Sequence, residues 1–255
     1  MNIRNIVYSP IQNIALWLGA WLYGQESFDD LDYALTELGG PHRLYGGEFF
    51  TTDFLLQVRN TTSPLIDNPR PHTPLLQVAL TGPGDPIRLP PHSEAMRYIT
   101  EGAIFIADHN PYRYHVLVPQ FDASGCQWRW YEYEGLLPAP NYLLPGEADY
   151  ALTQAATTAA QLIEHCDTSH TTKLPNPRLT VGSLSDFYEN PGLPDHIPPR
   201  AAQLIARADR VAAIVETVTQ VAQDHEFDPE LLSLARHIRH ARMAACTYAL
   251  VEWAR

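Results

Sequence analysis

His115 is the side chain best placed by spacing to do chemistry. It lies in the run Arg113–Phe121, with Ala103–His109 before it and Cys126–Glu134 after it. The links are short turn sequences, Asn110-Pro111-Tyr112-Arg113 with Pro at its favoured second place, and Asp122-Ala123-Ser124-Gly125. Such links predict an antiparallel meander. If Asn110 pairs with Arg113, Asp108 falls opposite His115. If Phe121 pairs with Cys126, His115 falls opposite Glu132. One face then carries the row Asp108–His115–Glu132 with Arg113 and Glu134 beside it, neighbours lying roughly 4.5–5.5 Å apart at Cβ. Two carboxylates that hold and orient an imidazole are what a general base or a metal-ligand set needs. The competing reading is a hydrated charge ladder closed by Arg113 and Glu134. A slip of one residue in either hairpin would dissolve the row.

The row's face continues as Ile104, Ile106, Leu117, Trp128 and Trp130, and the opposite face as Phe105, Tyr114, Val116, Val118, Tyr131 and Tyr133. Both are apolar enough to require cover. Core packing is the ordinary reading of such residues, while Trp128, Trp130 and Tyr131 together form the candidate platform for a partner. Near the C-terminus, Arg236, His237, Arg239, His240 and Arg242 make a basic cluster, read as a solvated face paired with acids such as Asp209 and Glu216. Arg236 and Arg239 are its candidate contacts to an acidic or phosphate-bearing ligand. His237/His240 and the run His165–His170 offer metal-ligand types, but four-ligand closure is not evident, so no metal site is assigned.

Several chemistries are absent from the sequence. Lys173 is the only lysine, so a P-loop and Schiff-base chemistry are both excluded or disfavoured. No G-x-S-x-G, H-E-x-x-H, EF-hand loop or G-x-G-x-x-G occurs. No cofactor is implied. Cys126, Cys166 and Cys246 are odd in number and widely spaced, which points to a reducing, cytoplasmic setting. The formal net charge of −12 argues against a phosphate-backbone binder, so nucleic acid is not an expected partner. The apolar stretch Ile14–Gly24 is far shorter than the roughly 20 residues of a membrane span and lacks the layout of a signal peptide.

The elements that must position these groups follow from periodicity. Residues 10–23 carry Ile11, Ile14, Ala15, Leu18 and Leu22 at helical spacing. Ser27 caps a second helix with Leu31, Ala34, Leu35 and Leu38 inward, stopped by Gly39-Gly40-Pro41. Thr52 opens a short third helix, and the four prolines of 60–74 predict a loop. Leu75–Leu80 reads as a strand ended by the turn Gly82–Asp85, and Ser93–Gly102 as a short helix. Beyond 146, helical stripes run through Leu152–Cys166, Arg200–Asp224 and Leu231–Tyr248, the last two joined as an antiparallel hairpin. The proline-rich stretch 167–199 between them reads as a crossover, with Phe187–Pro194 as a sealing or docking segment.

The order of these pieces resembles a family of conserved actinobacterial proteins with no assigned activity. The likeness rests on Leu75–Asp85 followed by Ile87-Arg88-Leu89-Pro90, on Pro194–Arg200 leading into Ala201-Ala202-Gln203-Leu204, and on Arg236–Tyr248. It implies a cytoplasmic housekeeping or regulatory protein and transfers no catalytic residue.

The expected fold is therefore α+β: N-terminal helices, a central antiparallel-rich sheet with its meander at 103–134, and a C-terminal antiparallel helical hairpin. Residues 1–146 and 147–255 are expected to share one core. The leading functional expectation is a non-enzymatic protein- or peptide-binding protein, with homodimerisation through the C-terminal helices as a variant. The alternative is a small-ligand-binding protein or hydrolase organised around His115.

Overall fold

The computed structural model describes residues 4–47, 51–70, 73–139, 143–165, 192–221 and 228–255. It is an α+β fold whose helices begin with a short turn, α1 (Arg4–Val7), followed by α2 (Ile11–Leu22) and α3 (Phe28–Gly39). Helix α2 is buried on nearly all sides, including Gln12 and Asn13, whose side chains bond to each other at 3.0 Å. Ser27 caps α3 by accepting the Asp30 N–H at 3.1 Å, and Gly40 ends the helix at φ 72°, a region that favours glycine.

Helix α4 (Thr51–Asp67) is longer than the sequence suggests, because it runs through Pro64. Proline leaves the Asn60 carbonyl without its helical N–H donor. The Ser63 hydroxyl donates to that carbonyl at 3.4 Å, and the buried Thr62 hydroxyl to Val58 O at 2.9 Å. The stretch 60–74 is thus helical over its first half.

The strands are β1 (His42–Leu44), β2 (Leu76–Leu80), β3 (Gly102–Ala107), β4 (Arg113–Asp122) and β5 (Gly125–Glu134), in the order β1-β5-β4-β3-β2. The meander β3-β4-β5 is antiparallel, as is β2 on β3; β1 lies parallel to β5, so the sheet is mixed. Between β2 and β3, residues Glu94–Arg97 form only a 3-10 turn rather than the helix expected from Ser93.

The β4–β5 register is the expected one, with Phe121 opposite Cys126 and His115 opposite Glu132. The β3–β4 register differs by two residues: His115 faces Ile106, and the ladder closes at Ala107 and Tyr114. The turn bond from Arg113 N–H to Asn110 O forms at 3.1 Å, but Asp108 leaves the ladder to accept the Asn110 N–H at 2.7 Å. A shift of two preserves the alternation of faces, whereas a shift of one would invert it.

One face of the sheet, with Ile104, Ile106, Leu117 and Trp128, joins a continuous core with the helices α2, α4, α5 (Pro145–His165), α6 (Pro199–Val221) and α7 (Asp228–Trp253). The other face, with Phe105, Tyr114, Val116 and Val118, is covered by Ile87 and Ala95, with Leu89, Tyr98 and Ile99 packed around them. Helix α7 packs on α6, α5, α2 and β2, and its stripe Leu234, Ile238, Ala241 and Ala245 is fully inside. Cys166 and most of the 167–199 crossover lie outside the described residues, although Gly192 accepts the Trp17 indole N–H at 3.0 Å. Among the described residues no helix is long and apolar enough to cross a membrane.

Candidate functional site

Leaving the ladder lets Asp108 gather donors. Its Oδ2 accepts from Arg113 Nε and His115 Nε2, both at 2.9 Å, and its Oδ1 from Asn110 N–H at 2.7 Å and Arg113 Nη2 at 3.2 Å. His109 Nδ1 lies 2.9 Å from Oδ1, and Arg70 donates to the Asp108 and His109 carbonyls. Burial alone would push this carboxyl up. The bonds from Arg113, the Asn110 amide and His115 outweigh it and hold the group at about 2.

The imidazole of His115 is committed at both nitrogens. Trp130 Nε1–H donates to Nδ1 at 3.1 Å, so Nδ1 carries no hydrogen and Nε2–H is the donor to Asp108. His115 is 6% exposed. Asp108 and His115 therefore meet as the sequence suggests, by a diagonal contact in place of a direct pair. Glu132 stands further off, 4.0 Å from Nδ1, with its side chain more than half exposed and drawn to Arg113 at 3.6 Å. The product is a braced chain from Arg113 through Asp108 and His115 to Trp130.

A second indole–imidazole pair lies deeper. Trp128 Nε1 donates to His42 Nδ1 at 3.0 Å and stacks on Phe54 at 5.1 Å. Trp128 is wholly buried, so of the aromatic trio only Trp130 and Tyr131, both partly exposed, can meet a partner. Burial, partly countered by the Leu35 backbone, lowers His42 to about 4.

The position of Trp130 is set by where β1 stops. Cys126 N–H bonds to Pro41 O, and Trp128 O accepts the Tyr45 N–H at 2.9 Å. Gly46 then turns the chain away at φ 76°. By the two-residue alternation, the amides and carbonyls of Trp130, Glu132 and Glu134 point to the same side. Among the described residues no strand pairs with them. A cleft of about 410 Å³ meets this edge at Trp130, lined from one face by Trp128 and Trp130 and from the other by Arg129 and Tyr131, with Tyr45 and Glu94 beside them. The Arg129 guanidinium is fixed between the Tyr45 and Tyr98 rings, 3.6 and 3.8 Å from their centroids. Tyr45, Arg129, Glu94 and Arg70 carried no sequence signal for this site, because their proximity arises from β1 and the 3-10 turn.

Three members of the basic cluster share an acid that the sequence did not suggest. Asp85 accepts from Arg239 Nη2 at 2.6 Å, His240 Nε2 at 2.8 Å and Arg236 Nε at 3.0 Å. Burial would raise the Asp85 carboxyl, and His240 and Arg239 bring it below its usual range. Arg239 is 2% exposed, Arg236 half exposed. A Cβ at Gly82 would overlap the Arg239 guanidinium, so the glycine makes room for it. Arg242 turns to Asp209, as expected, at 2.6 Å. The described residues contain no group of three or more His, Cys, Asp or Glu suited to a metal.

Comparison with known proteins gives one consistent result. Residues 12–142 match the family model for the Rv1486c-like protein, N-terminal domain, and residues 146–243 that for its C-terminal domain. An uncharacterized protein of Mycobacterium leprae, ML1804, is 25% identical over 292 aligned positions, covering 94% of this chain and 96% of that protein. The uncharacterized protein MT1533 of Mycobacterium tuberculosis is 30% identical over 133 positions, 48% of this chain and 46% of that one. No solved structure matches.

Proposed function

The chain belongs to the Rv1486c-like family, and from that premise we propose that it is a binding protein which takes an extended peptide segment onto the open edge of β5. The observation that carries this reading is the backbone at Trp130, Glu132 and Glu134, which no strand pairs among the described residues, with an aromatic-lined cleft beside it at Trp130. Strand addition gains affinity from main-chain bonds and specificity from alternate side-chain pockets. Charge selects the partner. Glu132, Glu134 and Glu94 are exposed around the edge of a chain with net charge −12, which favours a peptide carrying Lys or Arg. A second copy adding edge to edge would bring Glu132 and Glu134 against their own equivalents, and the C-terminal stripe proposed for a homodimer is spent in the core. The exposed glutamates also keep the edge from pairing indiscriminately.

The reading that places hydrolysis at His115 has less support, because both ring nitrogens already have partners. The braced chain serves the edge instead: it satisfies the Trp130 N–H and fixes the indole beside the open backbone.

The test uses an acetylated heptapeptide of alternating lysine and valine, followed by amide NMR. Shifts and slowed hydrogen exchange at Trp130, Glu132 and Glu134 are expected. Glu132→Pro removes one outward N–H that no strand pairs among the described residues, so the fold stands while binding falls by about tenfold or more. Glu132→Lys weakens it in a salt-dependent manner. Shifts located elsewhere, or affinity unchanged by Glu132→Pro, would overturn the reading.

A further inference from the structure

A second cleft, remote from the β5 edge, lies at the opposite side of the sheet, where β2 meets α7. It encloses about 550 Å³ and combines two kinds of wall. Val78, Ile87, Phe105, Leu143 and Met243 supply apolar surface, while Arg236, His240 and Arg88 supply basic side chains. Arg88 is exposed. Asp85 engages Arg236 through Nε alone at 3.0 Å, which leaves its terminal amino groups for another acceptor. With Arg239 also on Asp85, the two guanidinium groups exceed the single carboxylate by one positive charge, in a chain whose total is −12.

The second observation is Gln77. Its partner in the ladder is Phe105, so the two side chains share a face, and Gln77 is only 7% exposed. Among the described residues its side chain makes no hydrogen bond, and its polar atoms are not sealed off from solvent, so the carboxamide is open to the cleft that it lines. The neighbouring edge is already served: Leu80 N–H, which points outward from β2, meets Met243 Sδ at 3.3 Å.

From this we infer that the β2–α7 cleft is a binding site for a small organic oxyanion, a carboxylate or phosphate on an apolar body, with Arg236 and Arg88 holding the head and Gln77 bonding to a polar group on the body. This goes beyond the peptide reading and stands or falls separately. Asp85 acts by positioning: it fixes the bearing of Arg236 and prevents the cluster from collapsing onto other acids.

Four probes separate the contributions: phenyl phosphate, benzoate, inorganic phosphate and phenol, each titrated into labelled full-length protein. Either aryl anion is expected to bind saturably, with amide shifts at Gln77–Leu80 and Arg236–Met243. Phosphate and phenol each bind about tenfold more weakly, having only half of the recognition. Arg236→Gln lowers affinity by about tenfold, as expected for one charge-assisted pair, and Arg88→Gln by less. Gln77→Leu lowers it while leaving the salt dependence unchanged, a result that mere loss of charge would not give. Arg88 is exposed, so its variant keeps the test sound even if a buried change perturbs folding. Absence of saturable binding by both aryl anions below about 10 mM, shifts confined to other surfaces, or affinity indifferent to Arg236→Gln and Arg88→Gln would refute the site.

Discussion

Replacing Asp108 by Asn keeps the shape of the side chain and removes its charge, which isolates the interaction on which the braced chain depends. In the folded protein the carboxyl is held at about 2 against an ordinary 3.8, worth about 2 kcal/mol before screening. The Arg113 side chain is a third exposed, so water screens part of this, and about 1–2 kcal/mol is expected in practice. Because the folded value is depressed, the stabilisation is complete above about pH 4 and is lost as pH falls from about 4 to about 2. Asp108→Asn also turns an amide N–H₂ towards donors from Asn110, Arg113 and His109. The variant should therefore unfold about 2 kcal/mol more easily at pH 7, with the gap closing by more than half at pH 2.5. Urea unfolding followed by tryptophan fluorescence measures it. Asp85 and Asp122, whose carboxyls are also lowered, contribute to the acid slope, but both proteins carry them and they cancel in the difference. A gap that stays constant from pH 7 to 2.5, or no gap at pH 7, would refute the reasoning.

Three further outcomes follow from other parts of the structure. His42 is fully buried and titrates at about 4, below an ordinary 6.5, so it should lower stability by about 3 kcal/mol as pH drops from about 6.5 to about 4; in His42→Gln this share of the slope, measured as the difference between the two proteins in urea titrations, should be lost, while the half-buried His237 contributes equally to both. Gly125→Ala meets both φ 129° and the Pro41 carbonyl and should cost more than about 2 kcal/mol, whereas Gly24→Ala, at φ 71° in open space, should cost about 1 kcal/mol; thermal unfolding of the two variants checks the contrast. Burial raises the Cys126 thiol and pushes the Cys246 thiol up to about 12, so a thiol reagent at pH 8 should label neither in the native protein, as read by peptide mapping, and both after unfolding.

The parts of the fold that rest on period were readable in the sequence. The alternation in β4 and β5 assigns Leu117, Trp128 and Trp130 to one face and Val116, Tyr131 and Tyr133 to the other, and the structure keeps that division. Two kinds of information were not readable. Side-chain competition for backbone groups is the first: Asp108 captures the Asn110 amide and moves the first hairpin by two, and Ser63 rescues a helix through Pro64. Long-range pairing is the second. His42–Leu44 has too few residues for a pattern of its own and becomes a strand only against Cys126–Trp128. The same limit governs the site. Asp108 and His115 are close in sequence and could be matched, but Arg70 and Tyr45 arrive from separate elements. The basic cluster was visible, while its partner Asp85 looked like an ordinary turn residue.

The two indole–imidazole pairs show how one local device serves two ends. In both, a tryptophan of β5 donates to a histidine Nδ1, so the ring's only polar atom is satisfied inside the protein. Trp128 has β1 beside it and Phe54 stacked on it, and its area goes entirely to the core. Trp130 lies two residues further on, past the point where Gly46 turns β1 away, and the same bond leaves its ring partly exposed at an open edge. An indole whose N–H is already bonded offers a partner apolar area without a polar group to desolvate, and a held ring loses little freedom on binding. A catalytic histidine would need a free nitrogen and a path for substrate; His115 is shut between Asp108 and Trp130. The arrangement is better explained as a rigid support for Trp130, and the difference between core and exposed edge on this strand comes down to the length of β1.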